Sequence, residues 1–173
     1  TGGQLGDQNF LSDDAWGILA LAASGVPVTA AEVTAAANFL QTHQNADGGW
    51  PFAVGGPSDT NSTAVVIMAL RESGVAAGSS PLASAVNYLK AAQNADGGFP
   101  YESGGESDAD STAWVTWAIR KLGQDPAAWE REQHSPLGFL QTLANPDGSY
   151  AWMAIALPKP LSIGARGQKK GCC

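Results

Sequence analysis

The sequence predicts an all-α protein: three helical hairpins of about 49 residues stacked in two concentric layers, forming part of a ring. Three observations predict it. Small and apolar residues recur at one spacing: Ala15, Ala64 and Ala113 lie 49 residues apart, as do Leu21, Leu70 and Ile119, and also Trp16, Val65 and Trp114. Three related turns close the units, Asn45-Ala-Asp-Gly-Gly-Trp50, Asn94-Ala-Asp-Gly-Gly-Phe99 and Asn145-Pro-Asp-Gly-Ser-Tyr150. Between these turns each unit holds two helix-length stretches. A repeat of this length means stacked supersecondary units, each unable to bury its apolar face alone.

The elements follow in order. Residues 1–11 read as the end of a preceding repeat or an N-terminal loop, with Gly2-Gly3 resembling the Asp-Gly-Gly turns. The repeats span residues 12–57, 58–106 and 107–150, and 151–173 form a tail expected to be flexible. The first helix of each unit is expected over Asp13–Ser24, Asn61–Ser73 and Asp110–Leu122, with Gly25, Gly74 and Gly123 closing their C-termini. The second is expected over about Ala30–His43, Pro81–Ala92 and Pro136–Ala144. Thr29, Ser80 and Ser135 are candidate N-caps, and Pro81 and Pro136 suit a first helical position. The first helices carry almost no charge. Ala64-Val-Val-Ile-Met-Ala-Leu70 and Ala113-Trp-Val-Thr-Trp-Ala-Ile119 are apolar round most of their circumference, which predicts burial on both sides in an inner layer. The second helices have a polar face and form the outer layer.

Composition narrows the function. Of 173 residues, 44% are hydrophobic and only 14% charged, and six are Trp, which excludes generic disorder. No apolar run is long enough to span a membrane. Residues 1–158 carry five basic and sixteen acidic residues, a balance of −11, while Lys159, Arg166, Lys169 and Lys170 make the tail +4. An acidic body repels phosphate backbones, so nucleic acid is excluded as a partner. The only cysteines are Cys172 and Cys173, so the repeats contain neither disulfide nor thiolate ligand. Such cysteine avoidance fits either compartment, and a body of this kind leans towards an extracellular or cell-surface bacterial protein.

The turns carry a family resemblance. Ala36-x-x-Phe39-Leu40-x-x-x-Gln44-x-x-x-Gly48-x-Trp50 resembles the QW motif of terpene cyclases throughout. Ala85-x-x-Tyr88-Leu89-x-x-x-Gln93-x-x-x-Gly97-x-Phe99 follows it with Phe for Trp, and the third unit departs further, with Ala144 for Gln and Tyr150 for Trp. Over residues 12–150 the chain thus resembles the prenyltransferase/squalene-oxidase repeat family, and the resemblance implies the α/α toroid. That toroid serves several unrelated chemistries, so it implies no one reaction. Gln44, Gln93 and the closing aromatics read as structural. Asp47, Asp96 and Asp147 are turn residues before Gly, one repeat apart, where a calcium site needs six to eight convergent oxygens.

The sharpest chemical motif is Asp108-Ala-Asp110-Ser111-Thr112-Ala113, which resembles the Asp-x-Asp-Asp-Thr-Ala motif of class II terpene cyclases. The resemblance implies Asp110 as the acid that protonates an alkene of a polyprenyl substrate, with Asp108 as its partner. Such an acid needs a dry pocket, and the family's last Asp is Ser111 here. Trp114 and Trp117 offer π-faces to a cation. Against catalysis, Asp59-Thr-Asn61-Ser62-Thr63-Ala64 stands in the same register one repeat earlier, and both segments suit helix N-caps. Trp114 also shares its register with Trp16.

The zinc site of protein prenyltransferases needs an Asp, a Cys and a His. No Cys lies in the repeats and His43 and His134 fall in the outer layer, so no metal or other cofactor is expected. The tail's Lys-Lys-Gly-Cys-Cys resembles doubly prenylated GTPase ends, but the body has no GTPase motif and a disordered end is expected. Trp152 and Pro160-Leu161 read as a shortened remnant of the family's post-repeat segment. The expected function is a non-catalytic ligand-binding or scaffold domain of an exported bacterial protein. Trp16, Trp114, Trp117 and Asp59 are its ligand-binding candidates, for an apolar small molecule or for a second copy completing the ring. The rival is a cyclase acting through Asp110.

Overall fold

A computed structural model describes residues 5–153. In chain order it contains α1 (Leu11–Ala23), α2 (Ala31–Thr42), β1 (Trp50–Pro51), β2 (Ser58–Asp59), α3 (Thr60–Glu72), α4 (Ser80–Ala92), α5 (Ala109–Lys121), a 3-10 turn (Pro126–Ala128) and α6 (Pro136–Thr142). β1 and β2 pair antiparallel, Trp50 opposite Asp59. The tail's Cys172, Cys173 and Pro160-Leu161 lie outside the described residues.

The first helix of every unit stops in the same way. Gly25, Gly74 and Gly123 take φ of +81°, +90° and +76°. Their N–H groups, with those of Val26, Val75 and Gln124, return to the last helical carbonyls. Val26 N donates to Leu21 O, Val75 N to Leu70 O and Gln124 N to Ile119 O, at 3.0–3.1 Å. These are three Schellman motifs in register, each ending on a residue whose missing Cβ makes the left-handed turn cheap. At the other end Asp59 and Asp108 cap α3 and α5, accepting from Ser62 N at 2.6 Å and Ser111 N at 2.8 Å.

Some expectations shift. Ala30 and Ser79, not Thr29 and Ser80, stand at the N-cap positions of α2 and α4, and neither donates or accepts a side-chain cap bond. Ser135 does cap α6, accepting from Gly138 N at 3.2 Å. α6 ends at Thr142 rather than Ala144. Pro146 disfavours helical geometry at Asn145, and Thr142 Oγ1 turns back to Phe139 O at 2.6 Å.

The helices form the two expected layers. α1, α3 and α5 pack side by side, while α2, α4 and α6 each pack on the back of their own unit's first helix. The outer helices bury one stripe apiece, Val33, Ala36, Ala37 and Leu40 in α2 and Leu82, Ala85, Tyr88, Leu89 and Ala92 in α4. α3, flanked on both sides, buries Thr60 and every residue from Thr63 to Leu70. α5 departs from the expectation of two-sided burial. Among the described residues it has a neighbouring first helix on one side only, and Asp110, Ala113, Trp117 and Arg120 are exposed. On the far side of α1 the N-terminal segment supplies cover. Leu5 lies against Gly17, where an added Cβ would come within 2.8 Å of Leu5 Cδ1.

Candidate functional site

The turns between layers set the geometry of the site. Gln44 Nε2 donates to Gly48 O and Pro81 O, both at 2.8 Å, so one amide ties its own turn to the start of the next outer helix. Gln93 Nε2 repeats this with Gly97 O at 3.0 Å and Trp129 O at 2.9 Å. Trp50 is fully buried, its indole N–H donating to Leu40 O at 2.7 Å and its backbone N–H to Thr63 Oγ1 at 2.9 Å. Phe99 is equally buried, and its N–H donates to Thr112 Oγ1 at 2.9 Å. Gly48 and Gly97 approach backbone of the following unit so closely that a Cβ would sit 2.5 Å from Ser84 O or 2.7 Å from Ser135 O. The Phe39 and His43 rings meet tilted at 43°, centroids 4.1 Å apart, and the Tyr88 hydroxyl is buried. Gln44, Gln93, Trp50, Phe99, Gly48 and Gly97 hold one hairpin to the next, while the Phe39–His43 contact stays at the end of α2.

Two residues beyond each closing aromatic comes another aromatic: Phe52, Tyr101 and Trp152. Their carbonyls accept from the first N–H of α1, α3 and α5 respectively: Leu11 at 3.2 Å, Thr60 at 3.0 Å and Ala109 at 2.8 Å. Each helix N-terminus therefore projects one aromatic beside it.

Phe52 and Tyr101 wall a cleft of about 290 Å3 between α1 and α3. Leu11, Ala15, Val65 and Val66 make its floor, and Trp16 and Trp114 complete the wall. Trp16 meets Trp114 edge-on, centroids 5.3 Å apart and planes at 73°, while Trp117 stacks on the other side of Trp114 at 5.8 Å. Polar groups are few: Ser12, Asn61 and Ser62. No Lys, Arg, Asp or Glu lines the cleft among the described residues.

The candidate residues divide accordingly. Trp16 and Trp114 come together in the cleft, and Trp117 supports Trp114 from outside it. Asp59 lies next to the cleft, beneath Phe52 and Tyr101, where burial pushes its carboxyl above the usual range against the pull of the Ser62 N–H. Asp108 is buried and committed to capping, accepting from both the N–H and the hydroxyl of Ser111 at 2.8 Å. Ser111, standing where the resemblance has an Asp, thus feeds Asp108 rather than Asp110. Asp110 is exposed on the far side of α3, accepts from Asn61 Nδ2 at 3.2 Å, and borders a second, open groove with Ala113 and Trp152. No three metal-ligating side chains cluster among the described residues. The ring nitrogens of His43 and His134 bond Phe39 O and Ala95 O at 2.8 and 3.0 Å.

Sequence reasoning missed Phe52 and Tyr101, and read Trp152 only as part of a post-repeat remnant. Their signal was present, since they repeat at 49 and 51 residues, but the spacing alone does not say that the ring turns towards the first helices.

Residues 17–156 match the family described as squalene-hopene cyclase C-terminal domain. The chain belongs to that family. Among solved structures it is similar to Candida albicans protein geranylgeranyltransferase-I complexed with GGPP, at a TM-score of 0.65 and 16% identity. The match covers 86% of this chain and 45% of that one, so this chain spans less than half of it. An identity this low speaks for the α/α toroid alone. No curated protein matches. No described helix is long and apolar enough to cross a membrane.

Proposed function

We propose that this squalene-hopene cyclase-type toroid domain binds an uncharged apolar small molecule in the α1–α3 cleft and performs no chemistry on it. One observation carries the reading: four aromatic side chains converge on an apolar floor while the carboxylates stand elsewhere. Asp108 is buried but spent as a cap, both its oxygens accepting from Ser111, and Asp110 is exposed outside the cleft lining, so neither is aimed at a ligand there. The cleft's volume falls near the lower end of the roughly 300–1,000 Å3 typical of ligand pockets. With no cation in its lining it offers no counter-charge to a diphosphate head, and Ser12, Asn61 and Ser62 suit a single hydroxyl instead. A short linear isoprenoid alcohol fits these demands.

Tryptophan emission tests this directly, because Trp16 and Trp114 line the cleft. Titration with farnesol is expected to quench emission saturably. Trp114→Ala is expected to weaken binding by about tenfold, the worth of one aromatic face at roughly 1.4 kcal/mol. Quenching that never saturates, or that survives Trp114→Ala and Trp16→Ala unchanged, would remove the cleft from the role.

A further inference from the structure

Asp59 and Asp108 share a register and cap α3 and α5 alike, yet they spend their carboxylates differently. Asp108 Oδ1 accepts from Ser111 N and Oδ2 from the Ser111 hydroxyl, both at 2.8 Å. Asp59 Oδ1 accepts from Ser62 N at 2.6 Å, but Oδ2 accepts no hydrogen bond among the described residues. Burial raises the pKa of Asp59, and the Ser62 N–H and hydroxyl pull against it, as do the Asn61 and Phe52 N–H groups. Of these donors only the Ser62 N–H closes a bond, and it goes to Oδ1. With Asp59 only 3% exposed, Oδ2 has neither a protein donor nor open water. A carboxylate oxygen in that position is costly unless something else donates to it. Asp59 lines a pocket of about 180 Å3 walled by Phe52 and Tyr101, with the exposed Glu102 at its rim. Two acids line this pocket and no base does. Burial raises the pKa of the Tyr101 hydroxyl, and the charges of Asp59 and Glu102 raise it further, so the negative field converges between the rings.

We propose that this pocket binds a small primary alkylammonium ion, its N–H donating to Asp59 Oδ2 and its charge and carbons resting against the rings of Phe52 and Tyr101. Each part of the ligand answers one feature of the pocket. The paired acids demand a cation, and aromatic faces attract one. The unpaired Oδ2 demands a donor, which a primary ammonium has and a quaternary one lacks; a charge-assisted bond of this kind is among the stronger ones. The volume lies below the roughly 300 Å3 at which ordinary ligand pockets begin, so the ion is small. A metal ion fits poorly. Calcium takes six to eight oxygens, and no three metal-ligating side chains cluster among the described residues. The pocket shares Phe52 and Tyr101 with the α1–α3 cleft but uses neither Trp16 nor Trp114, so it does not depend on what the cleft holds.

Saturation-transfer difference NMR of the full chain with n-butylammonium chloride at pH 7 reads the site, since such an amine is protonated there as a lysine side chain is. Saturable binding in the millimolar range is expected. At equal concentration pentan-1-ol, which has the chain without the charge, tetramethylammonium, which has the charge without the donor, and calcium should each leave the butylammonium signal in place. Asp59→Asn keeps a good N-cap of nearly the same shape and is expected to weaken binding by about tenfold or more. Tyr101→Leu is expected to weaken it by about fivefold. Glu32→Gln, an exposed acid of α2 outside the pocket, should change nothing. Circular dichroism confirms the helix content of each variant; should Asp59→Asn fail to fold, Tyr101→Leu and the competitor series decide alone. A signal that never saturates, binding that survives Asp59→Asn or Tyr101→Leu unchanged, or displacement by pentan-1-ol, tetramethylammonium or calcium would each overturn the site.

Discussion

Asp14 shows how far one side chain can depart from the repeat that contains it. It stands in the register of Thr63 and Thr112, whose hydroxyls accept the N–H of Trp50 and Phe99. Asp14 Oδ1 does the equivalent for Leu5 N at 2.8 Å, but Oδ2 is buried with no partner among the described residues. Burial is the main force raising its pKa, and Asp13 adds to it, while the Leu5 N–H and His43 act the other way. Asp59 is raised by burial as well. For both groups the folded pKa exceeds the unfolded value of 3.8. Their favourable contribution is therefore full below that value and is lost as pH climbs through the folded pKa. Asp14→Thr is expected to raise the melting temperature at pH 7 by about 2–4 °C, roughly 1 kcal/mol for a chain of this size, and to have little or no benefit at pH 3. Thermal melts across that range check both signs. A gain that is the same at both pH values would show that charge burial is not the cause. The buried amide of Gln93 makes the complementary case: Gln93→Leu strands the carbonyls of Gly97 and Trp129 and should cost about 2–4 kcal/mol in denaturant unfolding.

At the scale of elements, the sequence shows where helices stop more sharply than what they touch. The glycines after α1, α3 and α5 are legible because only a residue without a Cβ takes that turn cheaply, and the structure uses all three alike. The linking turns are legible too, though for a reason the sequence hides. Gly48 is needed less for its φ of +89° than for its approach to Ser84, whereas Gly55, at +78°, has nothing within 4 Å. Gly48→Ala should therefore cost about 3 kcal/mol or more and Gly55→Ala only about 1 kcal/mol. Equal losses on urea unfolding would contradict the close-packing account. The third unit was harder to read. The two-residue offset before its closing motif falls in the segment that holds the 3-10 turn Pro126–Ala128, after which Trp129 is buried and offers its carbonyl to Gln93. Repeat spacing marks such an insertion as an offset but gives no shape to it.

Across the whole molecule, the row of first helices explains which candidate residues were legible and which were not. Ala64 and Ala113 share a register and a residue type, yet one is buried and the other exposed, because among the described residues α3 alone lies between two first helices. The same difference separates Phe99, fully buried, from Tyr150, 61% exposed. A motif that resembles an acid dyad in the sequence thus becomes a helix cap and a surface carboxylate in the fold. Trp16 and Trp114 were legible as sharing a register two repeats apart, but not as meeting edge-on from α1 and α5 with α3 between them. The cleft they make with Phe52 and Tyr101 is the feature on which the functional account stands or falls. The most direct measurement incubates the protein with farnesol, separates the complex, and analyses the extracted ligand by gas chromatography. The account predicts farnesol recovered unchanged and near one per chain, with Trp16→Ala and Trp114→Ala each lowering the yield. A cyclised product, or no ligand carried with the protein, would contradict it.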